Sequence, residues 1–434
     1  MHDHNVRDDD HVYAAPLDVA VCLAPLDPPQ QHPHGRGMRS SPSLARRRIP
    51  QRGRVYTRRR LATPGLLGLA ALLIWIAVSL GGALTNPAFG SSFAARFSEW
   101  ARAHGGASIV NWVEQEWYSH HPPPVGGRPP AGAIRIPHPS SPVVASGAPH
   151  LPPPSPIEPL ASPAIPGEGA WAPTGRLVRG LPAVYETPLR PDAIHTSYVV
   201  GVAWMDTKLL KATLYSGSQI PGGGPFLHTA PVRPQAADSL VAAFNAGFLM
   251  NDANGGYYTD GKTLLPLRQD AASFVIYRDG TATVGNWGRD VSMTPDVVAV
   301  RQNLNLLVDG GHPVAGLNAQ DTSQWGNTLG NAVYVWRSGV GVTADGALVY
   351  VGGPGLNITD LADLLARAGA VRAMELDINT DWVNYSTYNP ATPGGPASGA
   401  NGSELLPGMT GTPGRYFEPW WARDFFTMSA AVSG

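Results

Sequence analysis

One cysteine among 434 residues excludes most sulfur chemistry at the outset. Cys22 stands alone in an N-terminal stretch rich in His, Pro, Asp and Arg, so the chain forms no internal disulfide. The same count rules out a cysteine nucleophile or a cysteine-ligated metal in the later part of the chain. Lysine is nearly as scarce: only Lys208, Lys211 and Lys262 stand among 31 basic residues, an arginine bias read as background composition. Charge of one sign is missing too. The formal net charge is −1 and no basic stripe runs through the later half, so no nucleic acid is expected as partner. Internal repeats are absent, and so are long apolar runs, with one exception.

The exception is GLLGLAALLIWIAVSLGGAL, residues 65–84, twenty residues without a charge and close to what one helix needs to cross a bilayer. Eight arginines lie between Arg46 and Arg60, immediately before it. Positive charge stays on the cytoplasmic side, so the pattern predicts a single-pass protein with its N-terminus inside and its C-terminal domain extracytoplasmic, at the cell surface or in the periplasm. A cleaved signal peptide is the alternative. The 60-odd polar residues ahead of the run, and its length, favour a retained signal-anchor.

Proline and glycine are abundant, 43 and 50 residues, and mark out the organisation. Residues 1–60 read as a disordered cytoplasmic tail whose HDH and HPH tracts are fortuitous. Residues 61–86 hold the span. Residues 87–120 read as an amphipathic helical segment broken at Gly105-Gly106, with Phe93, Phe97 and Trp100, then Ile109, Trp112, Val113 and Trp117, at helical spacing. Trp117 and Tyr118 suit a membrane interface, and the stretch 91–118 equally suits packing or self-association. Residues 121–170 are dominated by proline and read as an extended spacer holding a domain off the membrane.

From 171 to 434 the texture changes to strands and turns. TSYVVGVAWMD, KATLYSG, SFVIYRDGTATVGNWG and GVGVTADGALVYVGG read as strands, with RDG and ADG as hairpin turns. ITDLADLLARAG, 358–369, is the one clear helix. Leu361, Leu364, Leu365 and Ala368 share a face, Thr359 is the expected N-cap and Gly369 the expected stop. Strands outnumber helices, which predicts an α+β class: one strand-rich globular domain with a mixed sheet and a few helices.

Five short motifs follow in order: AAFNAGFLM (242–250), LNLLVDGG (304–311), WRSGVGVTADGALVYV (336–351), ITDLADLLARAGAVRAMELD (358–377) and RDFFTM (423–428). In that order and at those spacings residues 175–430 resemble the phosphodiester glycosidase family, whose best-known members remove N-acetylglucosamine from a phosphodiester. The resemblance implies a carbohydrate or sugar-phosphate substrate. It matches the family's Asn-Ala-Gly-Phe to Asn245, Ala246, Gly247 and Phe248, and its arginine stretch before a hairpin to Arg337, Ser338 and Gly339. The family's Leu-Asp-Gly-Gly-Gly-Ser loop begins here at Leu376 and Asp377, then departs to Ile378, Asn379, Thr380 and Asp381. A glycine run turns consecutive N–H groups toward a phosphate. Ile378 resists the positive φ such a nest needs, and Asp381 adds a repelling charge.

Glycoside cleavage needs one carboxyl to protonate the leaving oxygen and another as base or nucleophile. Glu375 and Asp377, two apart and on one face of a strand, are the catalytic candidates; a solvated strand end, or an acid pair holding a buried arginine, is the bland reading. Arg337 is the candidate anion clamp or, equally, one half of a structural salt bridge. Asn245 is placed to orient a sugar hydroxyl, Gly247 to let the backbone approach, and Asp309 and Asp381 to bind substrate. His312 beside the Gly-Gly turn is a weaker acid/base candidate. Trp287, Trp325 and Trp382 are candidates for a sugar platform. No cofactor is required by the sequence. A divalent ion such as Ca²⁺ is compatible with Asp377, Asp381 and Asp309 converging, or with the loop around Asp252, Asn254 and Asp260, where Asx-rich turn chemistry is the competing explanation. Two functions follow: a membrane-anchored hydrolase of sugar phosphodiesters or envelope glycans, or a catalytically inactive glycan-binding or scaffold protein of the same fold. Convergence of Glu375, Asp377, Asp309, Arg337 and Asn245 on one open pocket favours the first, and scatter the second.

Overall fold

The computed structural model describes residues 53–90, 92–106, 109–110, 112–113, 123–134, 147, 149–320, 324–326, 333–392, 394–409 and 412–431. The tail with Cys22 and its His tracts, Trp117 and Tyr118, and most of the proline-rich stretch before 149 lie outside them. The chain divides into two compact units, 1–67 and 68–434.

A helix runs from Gly53 to Thr85. Its part Leu66–Thr85 is 20 residues long with a mean hydropathy of 2.2, long and apolar enough to cross a membrane. Past Thr85 the chain turns at once. Asn86 caps the turn Pro87–Phe89 by accepting from the Ala88 amide at 2.9 Å, and Ser92 caps the helix Phe93–Ala101 through the Ala95 amide at 3.1 Å. Arg96 donates to the carbonyls of Leu84 (2.9 Å) and Gly90 (2.8 Å), satisfying orphan acceptors at the helix end. Trp100 donates to Ser79 Oγ at 2.9 Å, so the second helix folds back along the last turns of the first. The expected break falls at Gly105, which takes φ +84°.

The folded domain is strand-rich α+β, with three sheets and few helices. The largest sheet has eight strands in the order Ala172–Val178, Leu181–Leu189, Val200–Met205, Leu348–Leu356, Val335–Thr343, Ala370–Glu375, Leu306–Asp309, His312–Pro313. A second runs Lys262–Leu265, Tyr257–Thr259, Val297–Gln302, Ala272–Tyr277, Ala282–Asn286, and a third Gly402–Glu404, Tyr385–Tyr388, Leu240–Asn245, Phe425–Ala430, Leu210–Tyr215. Each ladder among the described strands is antiparallel, where the sequence predicts a mixed sheet. The reason is topological. Several consecutive strands are joined by hairpins such as RDG and ADG, whose Gly280 and Gly346 take φ +80° and +90°, and the helix Ile358–Arg367 carries the chain from Leu348–Leu356 to the parallel Ala370–Glu375, with Val335–Thr343 lying between them and antiparallel to both.

Side chains alternate across the eight-stranded sheet. Val202, Trp204, Val349, Val351 and Ala373 face the helix Ile358–Arg367, whose Leu361, Leu364 and Leu365 complete one apolar cluster. Ala203, Met205, Val340, Tyr350 and Met374 face the other way, into a cluster shared with Phe244, Phe274 and Phe426 of the two five-stranded sheets. The helix begins two residues earlier than Thr359 suggests. Asn357 is its N-cap in a reciprocal pair with Asp360, because an Asp three residues on can return the bond to the cap's own amide. Gly369 ends it at φ +94°.

Residues 149–170, expected as free spacer, pack on the domain. Leu151 and Ile157 are buried, the Leu151 amide donates to Asp206, and Glu168 pairs with Arg190 at 2.9 Å with both side chains almost sealed. Proline-rich composition signals an extended backbone but not what that backbone lies against.

Candidate functional site

The strands Leu240–Asn245, Phe425–Ala430 and Ala370–Glu375 end at one edge of the domain, and backbone bonds tie their ends together. The Asp377 amide donates to Ala246 O (3.2 Å), Ala246 N to Asp424 O (3.2 Å), and Asn245 N to Asn384 O (3.0 Å). Asp377, Arg423, Asp424 and Asn384 are thereby gathered around the Asn245-Ala246 step.

Asp377 is 5% exposed. Burial pushes its carboxyl up to about 6, against the pull of the Arg423 guanidinium and the amides of Asn379 and Ile378. Glu375 is fully buried, and burial drives it up to about 7 even though Arg337 Nη1 sits 2.6 Å from Oε1 and opposes the rise. Desolvation wins in both places, which keeps both groups near the proton affinity useful for acid–base work at neutral pH. Their access differs. Glu375 Oε2 has no hydrogen-bond partner among the described residues and its residue is sealed, whereas Asp377, also buried, keeps 5% exposure.

Arg337 is not a free clamp. Its guanidinium is held by Glu375, Leu356 O (3.1 Å) and Trp325 O (3.4 Å), and is 1% exposed. This is the structural salt bridge that the sequence left open. Arg337 and Glu375 also lie on the helix-facing side of the sheet: Gly339, opposite Glu375, would push a Cβ into Leu365 at 2.8 Å. Asn245 lies on the other side. Its amide donates to Ala246 O (2.9 Å) and Ser338 Oγ (3.0 Å), and accepts from Tyr350 OH (2.9 Å) and Asn384 N (3.1 Å). All four of its bonding positions are filled by protein, so it holds strand ends together. Gly247 lets Asn303 through, since a Cβ would stand 2.7 Å from Asn303 Oδ1, which accepts from the Phe248 amide.

Asp309 does not join the group. Antiparallel register sets it opposite Arg372, three residues before Glu375 and on the order of 10 Å along the strand, and its carboxylate pairs with Arg289 at 2.7 Å. His312 stands exposed across from it. Asp381 lies on the loop beyond Asp377, beside Trp382. That loop is held by side-chain bonds in place of glycines: Asp377 Oδ1 accepts from Asn379 N (3.0 Å), and Asn379 Oδ1 from Asp381 N (2.8 Å). Among the described residues no three His, Cys, Asp or Glu side chains are grouped to hold a metal.

The cation placed at Asp377 is Arg423. It is 8% exposed, stacks over the Trp382 ring at 4.6 Å, and its Nη1 lacks a partner among the described residues. Behind it Asp424 and Arg301 form a sealed pair at 2.7 Å, with Asp424 Oδ1 and Asn384 Nδ2 also unpartnered among the described residues. RDFFTM carries Arg423 and Asp424 in the sequence, without any sign that its arginine, and not Arg337, exerts its field on Asp377.

A family model, the phosphodiester glycosidases, matches residues 238–377. That segment is similar to a phosphodiester glycosidase domain. Among solved structures the chain is similar to the zebrafish N-acetylglucosamine-1-phosphodiester alpha-N-acetylglucosaminidase catalytic domain auto-inhibited by pro-peptide, at 17% identity and a TM-score of 0.35, over 58% of this chain and 82% of that one. It is also similar to a hypothetical protein from Synechocystis, at 14% identity and a TM-score of 0.33, over 60% and 64%. No curated protein matches. The matched phosphodiester glycosidase segment ends at Asp377, so Asp381, Asn384, Arg423 and Asp424 are added to its edge by the chain that follows.

Proposed function

We propose that the domain hydrolyses the bond between an anomeric carbon and a phosphodiester oxygen, or a related envelope glycan. Asp377 serves as acid–base and Arg423 receives the anionic group. The observation that carries this reading is a buried carboxyl held near pH 6 in the field of an arginine whose Nη1 has no partner among the described residues. Protonated Asp377 delivers its proton to the leaving phosphate oxygen as the glycosidic C–O bond breaks. Water adds to the anomeric carbon and gives up a proton, so the products are a free sugar and a phosphomonoester. Arg423 offsets the charge that gathers on the departing oxygens. Glu375, sealed behind Arg337, sets the field at Asp377 and does not touch substrate.

The helix Leu66–Thr85 serves as a membrane anchor in this reading, and the arginines before it place the catalytic domain on the extracytoplasmic side. A second reading, a glycan-binding protein without turnover, draws support from the scatter of Asp309 and Arg337 away from Asp377 and from the missing glycine run. The experiment is release of phosphomonoester and reducing sugar from sugar-1-phosphodiesters and envelope glycans by the full chain in detergent, with and without Ca²⁺ or Mn²⁺. Turnover lost in both Asp377→Asn and Arg423→Gln supports hydrolysis. Binding of the same compounds without turnover by the wild type supports the second reading.

A further inference from the structure

The chain does not lead the domain away from the apolar helix; it turns straight back into the site edge. One guanidinium fixes that turn: Arg96 donates to Leu84 O at 2.9 Å and to Gly90 O at 2.8 Å. Gly90, at φ +138°, then lies against the loop that follows Asp377, since a Cβ there would stand 3.3 Å from Asp381 Oδ2. Summed, these contacts leave on the order of 10 Å between the last turn of the helix Gly53–Thr85 and the Asp381 carboxylate. The proline-rich chain adds no distance. Gly126 N donates to Ile194 O at 2.7 Å and Thr196 Oγ1 to Gly127 O at 2.9 Å, just ahead of the strand Val200–Met205. Register carries that end across the sheet to the site: Gly201 pairs with Gly352, Gly353 with Arg337, and Gly339 with Glu375.

The helix Phe93–Ala101 presents an apolar face on the same turn. Phe97 lies 6.3 Å from Trp100, which donates to Ser79 of the apolar helix, and Phe97 and Phe93 are 43% and 69% exposed. That face adjoins Val78, also exposed, so the lipid that surrounds the span is the occupant it meets. We infer that the site edge is seated on the extracytoplasmic bilayer surface, and that its substrate is the headgroup of a membrane lipid: a sugar joined through phosphate to a long-chain alcohol. The inference deepens the hydrolase reading and rests on it, and on the anchor, for the chemistry. The C–O bond at the anomeric carbon breaks, water supplies the new hydroxyl, the sugar leaves to solution, and the alcohol keeps the phosphate as a monoester. A water-soluble phosphodiester carries the same scissile bond but lacks the chain that delivers it to this face.

The test uses the full chain in phosphatidylcholine vesicles, with Cys22→Ser so that one engineered cysteine carries a fluorophore. Thr380→Cys places it on the exposed site loop, and Ala344→Cys in the turn at the far end of the strand Val335–Thr343, on the order of 20 Å away. A headgroup nitroxide lipid is expected to quench the label at 380 at least threefold more than the label at 344. The unlabelled chain is given glucose, mannose or N-acetylglucosamine 1-phosphate esterified with phytanol or with methanol. The expected kcat/KM is at least tenfold higher for the phytanyl ester. Phe93→Gln with Phe97→Gln keeps the span, and is expected to lower both that preference and the quenching at 380 while the methyl ester is cleaved as before. Equal quenching at the two positions, or equal kcat/KM for the two esters, overturns the inference. If neither ester turns over, the hydrolase reading fails; the quenching pattern, and a saturable response of the label at 380 to the phytanyl ester alone, then decide the seating and the ligand separately.

Discussion

Replacing Asp377 with Asn is expected to stabilise the protein at alkaline pH while it removes the proposed chemistry. Burial raises the carboxyl from 3.8 to about 6, which at about 1.4 kcal/mol per tenfold in proton affinity makes the ionised form roughly 3 kcal/mol less compatible with the folded state. The sign follows from linkage. A carboxyl with a raised folded pKa binds its proton more tightly when folded, so the stability it contributes is complete below pH 4 and lost as pH rises through 6. Asn is neutral at every pH and nearly isosteric. The attraction of the Arg423 guanidinium is already contained in that net shift. The gain is therefore about 3 kcal/mol at pH 8, several degrees in melting temperature for a domain of this size. At pH 4.5 the folded wild type is still protonated at 377 and only about 1 kcal/mol of that loss has set in, so the variant's advantage is about a third of its value at pH 8. Thermal unfolding of both proteins at the two pH values is the assay. A variant that melts no higher than wild type at pH 8, or shows the same difference at both pH values, refutes the assignment of burial as the dominant cause.

Arg337→Ala leaves Glu375 buried without its partner and is expected to cost about 3–5 kcal/mol, read by denaturant unfolding; a loss under about 1 kcal/mol would show that the pair is not sealed. Gly247→Ala forces a Cβ to within 2.7 Å of Asn303 Oδ1 and is expected to destabilise by about 1–3 kcal/mol on the same assay. Asp309→Asn breaks only an exposed pair with Arg289, so stability should change by less than about 1 kcal/mol and turnover by nothing measurable, in contrast to Arg423→Gln.

Much of the domain was legible because its signals are local. The strand-like runs VGVAWM and KATLY, the RDG and ADG turns, and the stripe Leu361, Leu364, Leu365 depend on residues close in sequence, and the strands, hairpins and helix stand where those patterns put them. The acid pair was legible too, since two carboxyls at the end of an apolar run are costly to bury without purpose. Partnership was not. Arg337 and Arg423 each border an apolar strand, and only the register that sets Gly339 opposite Glu375 decides that the first is sealed against Glu375 and the second left open by Asp377. Asp309 was displaced by the same kind of information, its register opposite Arg372. Nor does a run of prolines reveal that Leu151 and Ile157 are buried against the sheet.

The loop after Asp377 is fastened at several points by Asn379, whose side chain accepts from Asp381 N and whose carbonyl accepts from the amides of Trp382 and Val383. A glycine run in the same place would be freer before a ligand arrives and would surrender about 0.5–1 kcal/mol more per residue on becoming ordered. Here that ordering is complete when the chain folds. The edge of the site thus behaves as a fixed template: it discriminates by shape at the moment of encounter, and a molecule that does not match has little loop movement with which to be accommodated.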